Sequence, residues 1–237
     1  MTHAALNHKN ANRLRTSALL FFCFAVPCAI LILVYFVYGI APFGEKSLLI
    51  MDMSAQYSEF FCGLKNINAQ NGGVLFSWSK VFGSNYAGVF AYYLSSPLSF
   101  LTLLCPNEKM PLGIFYLTVL KIGLCGLTFG ILLNDIQKKA RAYADCFVRN
   151  RIWIVIFSVF YALMSYNIVY SMCLMWIDAV IWLPIVILGI EKITDGGKPY
   201  LLCITYTILF ISTYYISYMV GIFSCLYLIF ALVRKHF

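Results

Sequence analysis

The first long apolar run limits the fold of this chain more than any other feature. Residues 18–40 are 23 consecutive positions without a charged side chain. A helix of that length rises about 34 Å at ~1.5 Å per residue, enough to cross the apolar core of a bilayer. The apolar region of a secretory signal peptide has only about 7–15 residues, and no small-residue cleavage site follows this run. It therefore predicts an uncleaved first transmembrane helix.

The rest of the chain carries too little charge for a soluble protein. Of its 237 residues, 62% are hydrophobic and 11% are charged, whereas soluble domains carry about 25% charged residues. The bilayer must therefore solvate much of the apolar surface. We predict an all-α integral membrane protein with about six transmembrane helices. The spans after the first are residues 111–133, 152–171 and 172–190, with two more within 200–233.

The last apolar stretch, residues 200–233, permits two arrangements. It has 34 residues, whereas two full spans need about 40. We favour a tight helical hairpin that turns near residues 212–218. One long tilted helix is the alternative.

Basic residues set the expected orientation. The net charge is +8, and the positive residues lie between apolar spans, as in the positive-inside rule, so we predict no nucleic-acid partner. A cytoplasmic N-terminus places 12 of the 17 Lys and Arg inside, counted over the tail, two connections and the C-terminus. The predicted organisation is a cytoplasmic tail over residues 1–17 and a multi-span membrane domain over 18–237.

Residues 41–110 form the predicted outer loop, which contains one further apolar segment. If residues 88–106 crossed the membrane, the strongly basic connection 134–151 would lie outside, against the charge rule. Ser95, Ser96 and Pro97 also interrupt the segment. We therefore predict a re-entrant or surface-lying helix within this loop.

Three ionisable residues are candidates for chemistry. Asp52 follows the first span in a partly apolar setting, where a carboxylate can serve as a general base. A solvated loop residue or a helix N-cap is the alternative.

Asp178 lies near the outer end of a returning helix and Lys121 near mid-membrane. Charges at such depth are costly, so each needs a partner. If the two spans are adjacent, Asp178 is the expected partner of Lys121, and a lipid-linked phosphate is the alternative partner for Lys121. Asp178 can also be interpreted as a helix cap or as an interfacial carboxylate.

Aromatic and amide residues suit the binding of a sugar, whose C–H faces stack on rings. They also suit the aromatic belt of an ordinary membrane protein. The members are Trp78, Asn85, Tyr86, Tyr92, Tyr93, Tyr214, Tyr215 and Tyr218.

Cysteines inside apolar spans, Cys173 among them, are interpreted as small apolar side chains. The chain has no nucleotide-binding or zinc-protease motif, and its three His lie in the tails. We therefore predict no cofactor and no protein-bound metal site, with a divalent-metal requirement left open.

Several long motifs resemble the bacterial YfhO-family membrane proteins, in order from about residue 47 to the C-terminus. They are MDMSAQYSEFF, LFSWSKVFGSNYAGVFAYYLSSPLSFLTLLCP, LKIGLCGLTFGILL, YSMCLMWIDAVIWLPIVILGIEKI and TYYISYM. The family is similar to the GT-C glycosyltransferases, which use polyprenyl-phosphate sugars on the outer face of the membrane. The resemblance implies a GT-C-like fold in the bacterial cell membrane. It also implies a lipid-linked sugar donor and a cell-wall polymer acceptor such as teichoic acid.

The resemblance also implies roles for residues. Asp52 matches the acidic catalytic base in the first outer loop of GT-C enzymes, and a cation such as Lys121 or an outer-loop lysine would steady the leaving phosphate. The expected substrate-binding residues are Gln56, Tyr57, Trp78, Asn85, Tyr93, Ser96, Lys121, Asp178, Tyr214 and Tyr215.

Two other functions stay open from the residues. Family members are longer, so we expect this chain to correspond to an N-terminal portion. That shortness also fits a non-enzymatic partner of another multi-span protein, or a flippase component. A small-solute transporter using Lys121 and Asp178 as an intramembrane pair is the third hypothesis.

Overall fold

The apolar runs fold as α-helices in the computed structural model, which describes residues 3–67, 75–78, 82–140 and 150–236. In chain order the helices are α1 His3–Val37, α2 Ser58–Lys65, α3 Tyr86–Val89, α4 Met110–Ala140, α5 Ile152–Ala162, α6 Ser165–Val169, α7 Leu174–Thr194, α8 Tyr200–Ser212 and α9 Tyr214–His236. The strands β1 Phe76–Ser77 and β2 Ser84–Asn85 form one short antiparallel pair. The prediction of an all-α membrane protein is confirmed.

Among the described residues, four helices are long and apolar enough to cross a membrane alone. These spans are Arg13–Val37, Asn107–Lys139, Leu174–Thr194 and Tyr214–Lys235. The other two predicted segments are helical but irregular. Residues 152–172 form a pair of helices bent by 42°. Helix α8 has 13 residues, about 20 Å at ~1.5 Å per residue, which is shorter than the ~30 Å apolar core of a bilayer.

The apolar segment of the loop does not cross the bundle. It contains two short helical pieces, Tyr86–Leu94 and Pro97–Leu104, bent by 103°. Both ends of the segment contact α2: Tyr86 Oη donates to Phe60 O at 3.0 Å, and Lys65 Nζ donates to Cys105 O at 2.5 Å. Because both ends lie on the same side, the prediction of a re-entrant or surface-lying segment is confirmed.

The last apolar stretch is a helical hairpin. Leu202 near the start of α8 packs against Gly189 near the end of α7. At the end of α9, Arg234 binds Glu191 at 2.7 Å. The start of α8 and the end of α9 therefore both lie beside the end of α7. The hairpin is confirmed, and the alternative of one long tilted helix is wrong.

The bundle has two chemically different ends. We call the end that carries residues 41–67 and 82–109 the loop face. The opposite end, the basic face, carries Lys139, Lys192, Arg234 and Lys235 at the ends of α4, α7 and α9. The predicted cytoplasmic tail is not a separate coil, since α1 is already helical from His3. Which face meets the cytoplasm stays a prediction from the charge rule.

Glycines on α4 allow α1 to approach closely. A Cβ atom at Gly126 would overlap the carbonyl oxygen of Cys23, and one at Gly130 would lie 2.7 Å from Cys23 Sγ. Small residues at such spacing are a common device for packing helices in membranes, where no hydrophobic force draws them together. Helix α1 is therefore held to the bundle by close backbone contact.

We expect Gly126→Ala to destabilise the protein by about 1–3 kcal/mol, the usual cost of overpacking. The added methyl group meets backbone, which cannot rotate away. Gly221→Ala on α9 is the matched control, because a Cβ atom there meets nothing within 4 Å. Thermal unfolding in detergent measures the difference, and equal melting temperatures for the two variants would contradict the close packing.

Candidate functional site

A buried ion pair joins α4 to α7. Lys121 Nζ lies 2.7 Å from Asp178 Oδ2, and both side chains are 1% exposed. The same ammonium donates to Leu174 O at 2.8 Å, and the Ser96 hydroxyl lies close to the carboxylate. The prediction that Asp178 is the partner of Lys121 is confirmed. The alternatives of a helix cap or an interfacial carboxylate are wrong for Asp178, because its carboxylate is enclosed and paired.

A second ion pair joins the same two helices at the basic face. Lys139 Nζ lies 2.6 Å from Asp195 Oδ2. The two pairs show that α4 and α7 run parallel. About eleven residues of α4 precede Lys121, but only about four residues of α7 precede Asp178. The start of α7 is therefore recessed by roughly 10 Å from the loop face, at ~1.5 Å per residue.

Asp52 lies over this recessed start. Met51 before it has a φ of 46°, a left-handed conformation that bulky residues rarely adopt. Asp52 then begins a single π-helical turn, Met53–Tyr57, and its side chain makes no capping hydrogen bond. Cys173, the residue before α7, directs its thiol to Asp52 Oδ2 at 3.9 Å. The N-cap alternative is wrong, and single π turns are frequent at functional sites.

Two tyrosines pack beside Asp52 and the start of α7. Tyr57 is 0% exposed, and the backbone N–H of Met175 donates to its hydroxyl at 3.5 Å. The Tyr57 and Tyr93 rings meet edge to face at 5.5 Å. Tyr93 belongs to a second π-helical turn, Phe90–Leu94. Burial raises the pKa of both phenols, so both stay protonated at neutral pH.

Gln56 brings an unpartnered polar atom close to the carboxylate. Gln56 Nε2 lies 3.5 Å from Asp52 Oδ1, while Gln56 Oε1 is enclosed and has no hydrogen-bond partner among the described residues. An enclosed acceptor is costly unless something binds it, so Gln56 Oε1 is a candidate ligand contact.

Aromatic rings form one wall of this site. Tyr92 contacts Tyr214 at 5.8 Å between ring centroids, and it interacts with Tyr215 and Trp176. Tyr170 contacts Trp176 at 5.1 Å. These contacts bring the predicted Tyr214 and Tyr215 to the loop face of α7, beside residues from the π turns.

Two predicted binding residues have other contacts. Trp78 is 70% exposed, and its ring lies 5.0 Å from Phe76 on the short hairpin. Asn85 caps α3, since its Oδ1 accepts from the N–H of Ala87 at 2.8 Å. The structure gives neither of them a contact with the group around Asp52. Lys121 and Asp178 face each other, so neither presents a free charge toward that group.

Sequence reasoning missed three residues of the site, Cys173, Tyr170 and Trp176. Cys173 was interpreted as a small apolar side chain, but its thiol contacts Asp52. Burial raises its pKa, and the Asp52 charge raises it further. The run YSMCLMWID before Asp178 contains all three residues, and its mixture of rings and a thiol ahead of an intramembrane carboxylate was the available signal.

Within the described ranges, no group of three His, Cys, Asp or Glu side chains has the geometry of a metal site. Among the described residues, a thiol and an amide approach the Asp52 carboxylate. The divalent-metal question therefore stays open.

A comparison with protein-family models identifies the family of this chain. The family model described as bacterial membrane protein YfhO matches residues 23–237. The chain belongs to the YfhO family. A search of curated proteins and a search of solved structures found no match. The matched region contains the ion pair, both π turns and Asp52, so the site lies wholly within the YfhO region. Multi-pass membrane localisation follows from the family and the spans.

We expect the two charges of the ion pair to be strongly coupled. Lys121→Met leaves an unpaired carboxylate and Asp178→Leu an unpaired ammonium, and each single change should destabilise the fold by about 3–5 kcal/mol. The double variant buries no charge and should be more stable than either single variant. Unfolding in detergent measures all three, and additive losses would contradict the coupling.

The raised pKa of Cys173 predicts slow alkylation. Asp52→Asn removes a negative charge that disfavours the thiolate, so the pKa should fall and alkylation at pH 8 should become several-fold faster. Asp52→Glu keeps the charge and should keep the slow rate. Mass spectrometry of the labelled peptides gives the rates. Cys62 serves as the internal reference, since its own raised pKa comes from burial and Glu59. An unchanged Cys173 rate in Asp52→Asn would refute the contact.

Proposed function

We propose that this YfhO-family protein transfers a sugar from a polyprenyl-phosphate donor to an extracellular cell-wall polymer such as teichoic acid. The observation that carries the proposal is the set of groups around the Asp52 carboxylate. Its carboxylate makes no capping bond, lies beside Cys173 at the recessed start of α7, and has the Gln56 amide and Tyr93 nearby. That combination suits a reaction between hydroxyl groups and a sugar.

In the proposed reaction, Asp52 is the general base. It takes the proton from an acceptor hydroxyl while that oxygen attacks the anomeric carbon of the donor sugar. The bond from the anomeric carbon to the phosphate oxygen breaks, and its electron pair leaves with the polyprenyl phosphate. Attack from the face opposite the leaving group inverts the anomeric configuration.

The neighbouring side chains hold the sugar. The Gln56 side chain, whose Nε2 lies 3.5 Å from Asp52 Oδ1, turns to bind a sugar hydroxyl and so gives its enclosed Oε1 a partner. Tyr92 and Tyr214 supply faces for stacking. The N-terminal end of α7 adds positive potential near the reacting phosphate.

Lys121 serves this site indirectly. Its ammonium is enclosed and already has two acceptors, so it fixes the depth of α7 and leaves the phosphate to another cation. An outer-loop lysine takes that role in the proposal. If the basic face is cytoplasmic, as the charge rule predicts, Asp52 faces the outside, where wall polymers lie.

The alternatives differ in what they require. A transporter needs solute to reach the Lys121–Asp178 pair, and both side chains are 1% exposed. A non-enzymatic partner or flippase component does not need the Asp52 carboxylate.

We expect Asp52→Asn to lower sugar transfer by about 10²–10⁴-fold, the usual contribution of a positioned general base. Glu59→Gln is the matched control, because Glu59 is an exposed carboxylate in the following helix. The sugar content of the wall polymer is measured in a deletion strain that carries each variant at equal protein level. Normal sugar content with Asp52→Asn would refute Asp52 as the base.

A further inference from the structure

An apolar groove lies on the loop-face half of the bundle. Its volume is about 380 Å³, and α1, α4 and the junction of α5 with α6 form its walls. The lining includes Leu31, Val34, Thr118, Ile122, Leu163 and Ile168. The volume lies within the ~300–1,000 Å³ typical of ligand sites.

The walls of the groove are mostly hydrocarbon. Three of the four hydroxyls in the lining are hydrogen-bonded within the protein, and the fourth belongs to Tyr35, which is 7% exposed. Thr118 Oγ1 donates to Ile114 O at 2.8 Å, Ser171 Oγ donates to Ile168 O at 2.8 Å, and Ser47 Oγ accepts from Leu49 N at 3.0 Å. A polar ligand therefore finds few new partners here, whereas an apolar chain loses none.

The groove is open along its side at membrane depth. Ile30 and Val34, on the second half of the first span, are 37% and 41% exposed, and Ile168 across the groove is 44% exposed. Since these residues lie in or beside membrane-spanning segments, the medium that reaches them is lipid hydrocarbon.

An exposed lysine lies at the loop-face mouth of the groove. Ile40 and Ser47 both line the groove, and a backbone bridge pairs Ile40 with Lys46. Lys46 is therefore held at the mouth. It is exposed and, among the described residues, has no carboxylate partner within 4.0 Å. The chain continues from this lysine to Asp52 within six residues.

We propose that this groove binds one hydrocarbon chain of a phosphate-headed lipid, with the phosphate at Lys46 and the chain against α1 and α4. The apolar walls match the chain, and the unpaired ammonium matches the head. The identification of that lipid with the sugar donor rests on the proposed function. Lys46 is then the outer-loop cation near the reacting phosphate.

Native mass spectrometry of the delipidated full chain tests the proposal with three probes, namely a long-chain polyprenyl phosphate, the uncharged polyprenol and phosphatidylglycerol. Leu163→Trp fills the groove and should lower retention of every chain about tenfold or more. Leu228→Trp on α9 is the matched control, since Leu228 lies 38% exposed outside the groove. Lys46→Gln should weaken the phosphate-headed probes and leave polyprenol unchanged, and Lys109→Gln is its control.

The outcomes separate the sources of the lipid. Preference for the polyprenyl phosphate, lost in Leu163→Trp, supports the donor lipid as occupant. Equal retention of phosphatidylglycerol, also lost in Leu163→Trp, supports the groove and assigns it to a bilayer phospholipid. Equal retention by the wild type and Leu163→Trp overturns the proposal. If Leu163→Trp does not fold, the Lys46→Gln comparison decides, and equal loss of polyprenol and polyprenyl phosphate overturns it.

A result against lipid binding in the groove can be told apart from a result against the proposed sugar transfer. Asp52→Asn should bind the polyprenyl phosphate as tightly as the wild type, because Asp52 does not line the groove. Binding without transfer in the wild type would count against the transferase and leave the groove in place.

Discussion

The Lys121–Asp178 ion pair is the constraint on which the rest of the structure depends. Each charge is enclosed in the membrane part of the bundle, where no water can solvate it once the partner moves away. Helices α4 and α7 therefore cannot slide past each other without separating the charges. This fixed register recesses the start of α7 below the loop face, and the hollow that results must be filled by other residues.

The loop fills that hollow with side chains from two π-helical turns. Tyr57 packs at the start of α7, Tyr93 meets its ring, and Asp52 lies beside Cys173. A π turn widens the helix locally and costs hydrogen-bond quality. The positive φ of Met51 costs further free energy. Both costs are concentrated at the residues around the carboxylate, as expected where a site is built at the expense of local stability.

Much of the fold was predictable because the bilayer makes sequence patterns simple. Apolar runs gave the spans, and the basic connection showed that residues 88–106 return to the same side. The cost of a lone intramembrane charge gave the Lys121–Asp178 pair. The site was less predictable. Cys173 reaches Asp52 through the recess of α7, which depends on helix register and has no periodic signal. Trp78 and Asn85 have the right chemistry, but they lie on a short hairpin whose packing is local.

The most direct test of this account is whether the ion pair holds α7 under Asp52. In an Asp52→Cys variant, a short bifunctional thiol reagent should join the new thiol to the native Cys173 in intact membranes, because Asp52 Oδ2 lies 3.9 Å from Cys173 Sγ. Linked peptides are quantified by mass spectrometry on protein that stays monodisperse after extraction. The account predicts efficient linkage with Lys121 present and a large loss with Lys121→Met. Equal linkage in both would show that the site keeps its geometry without the ion pair, and would contradict the account.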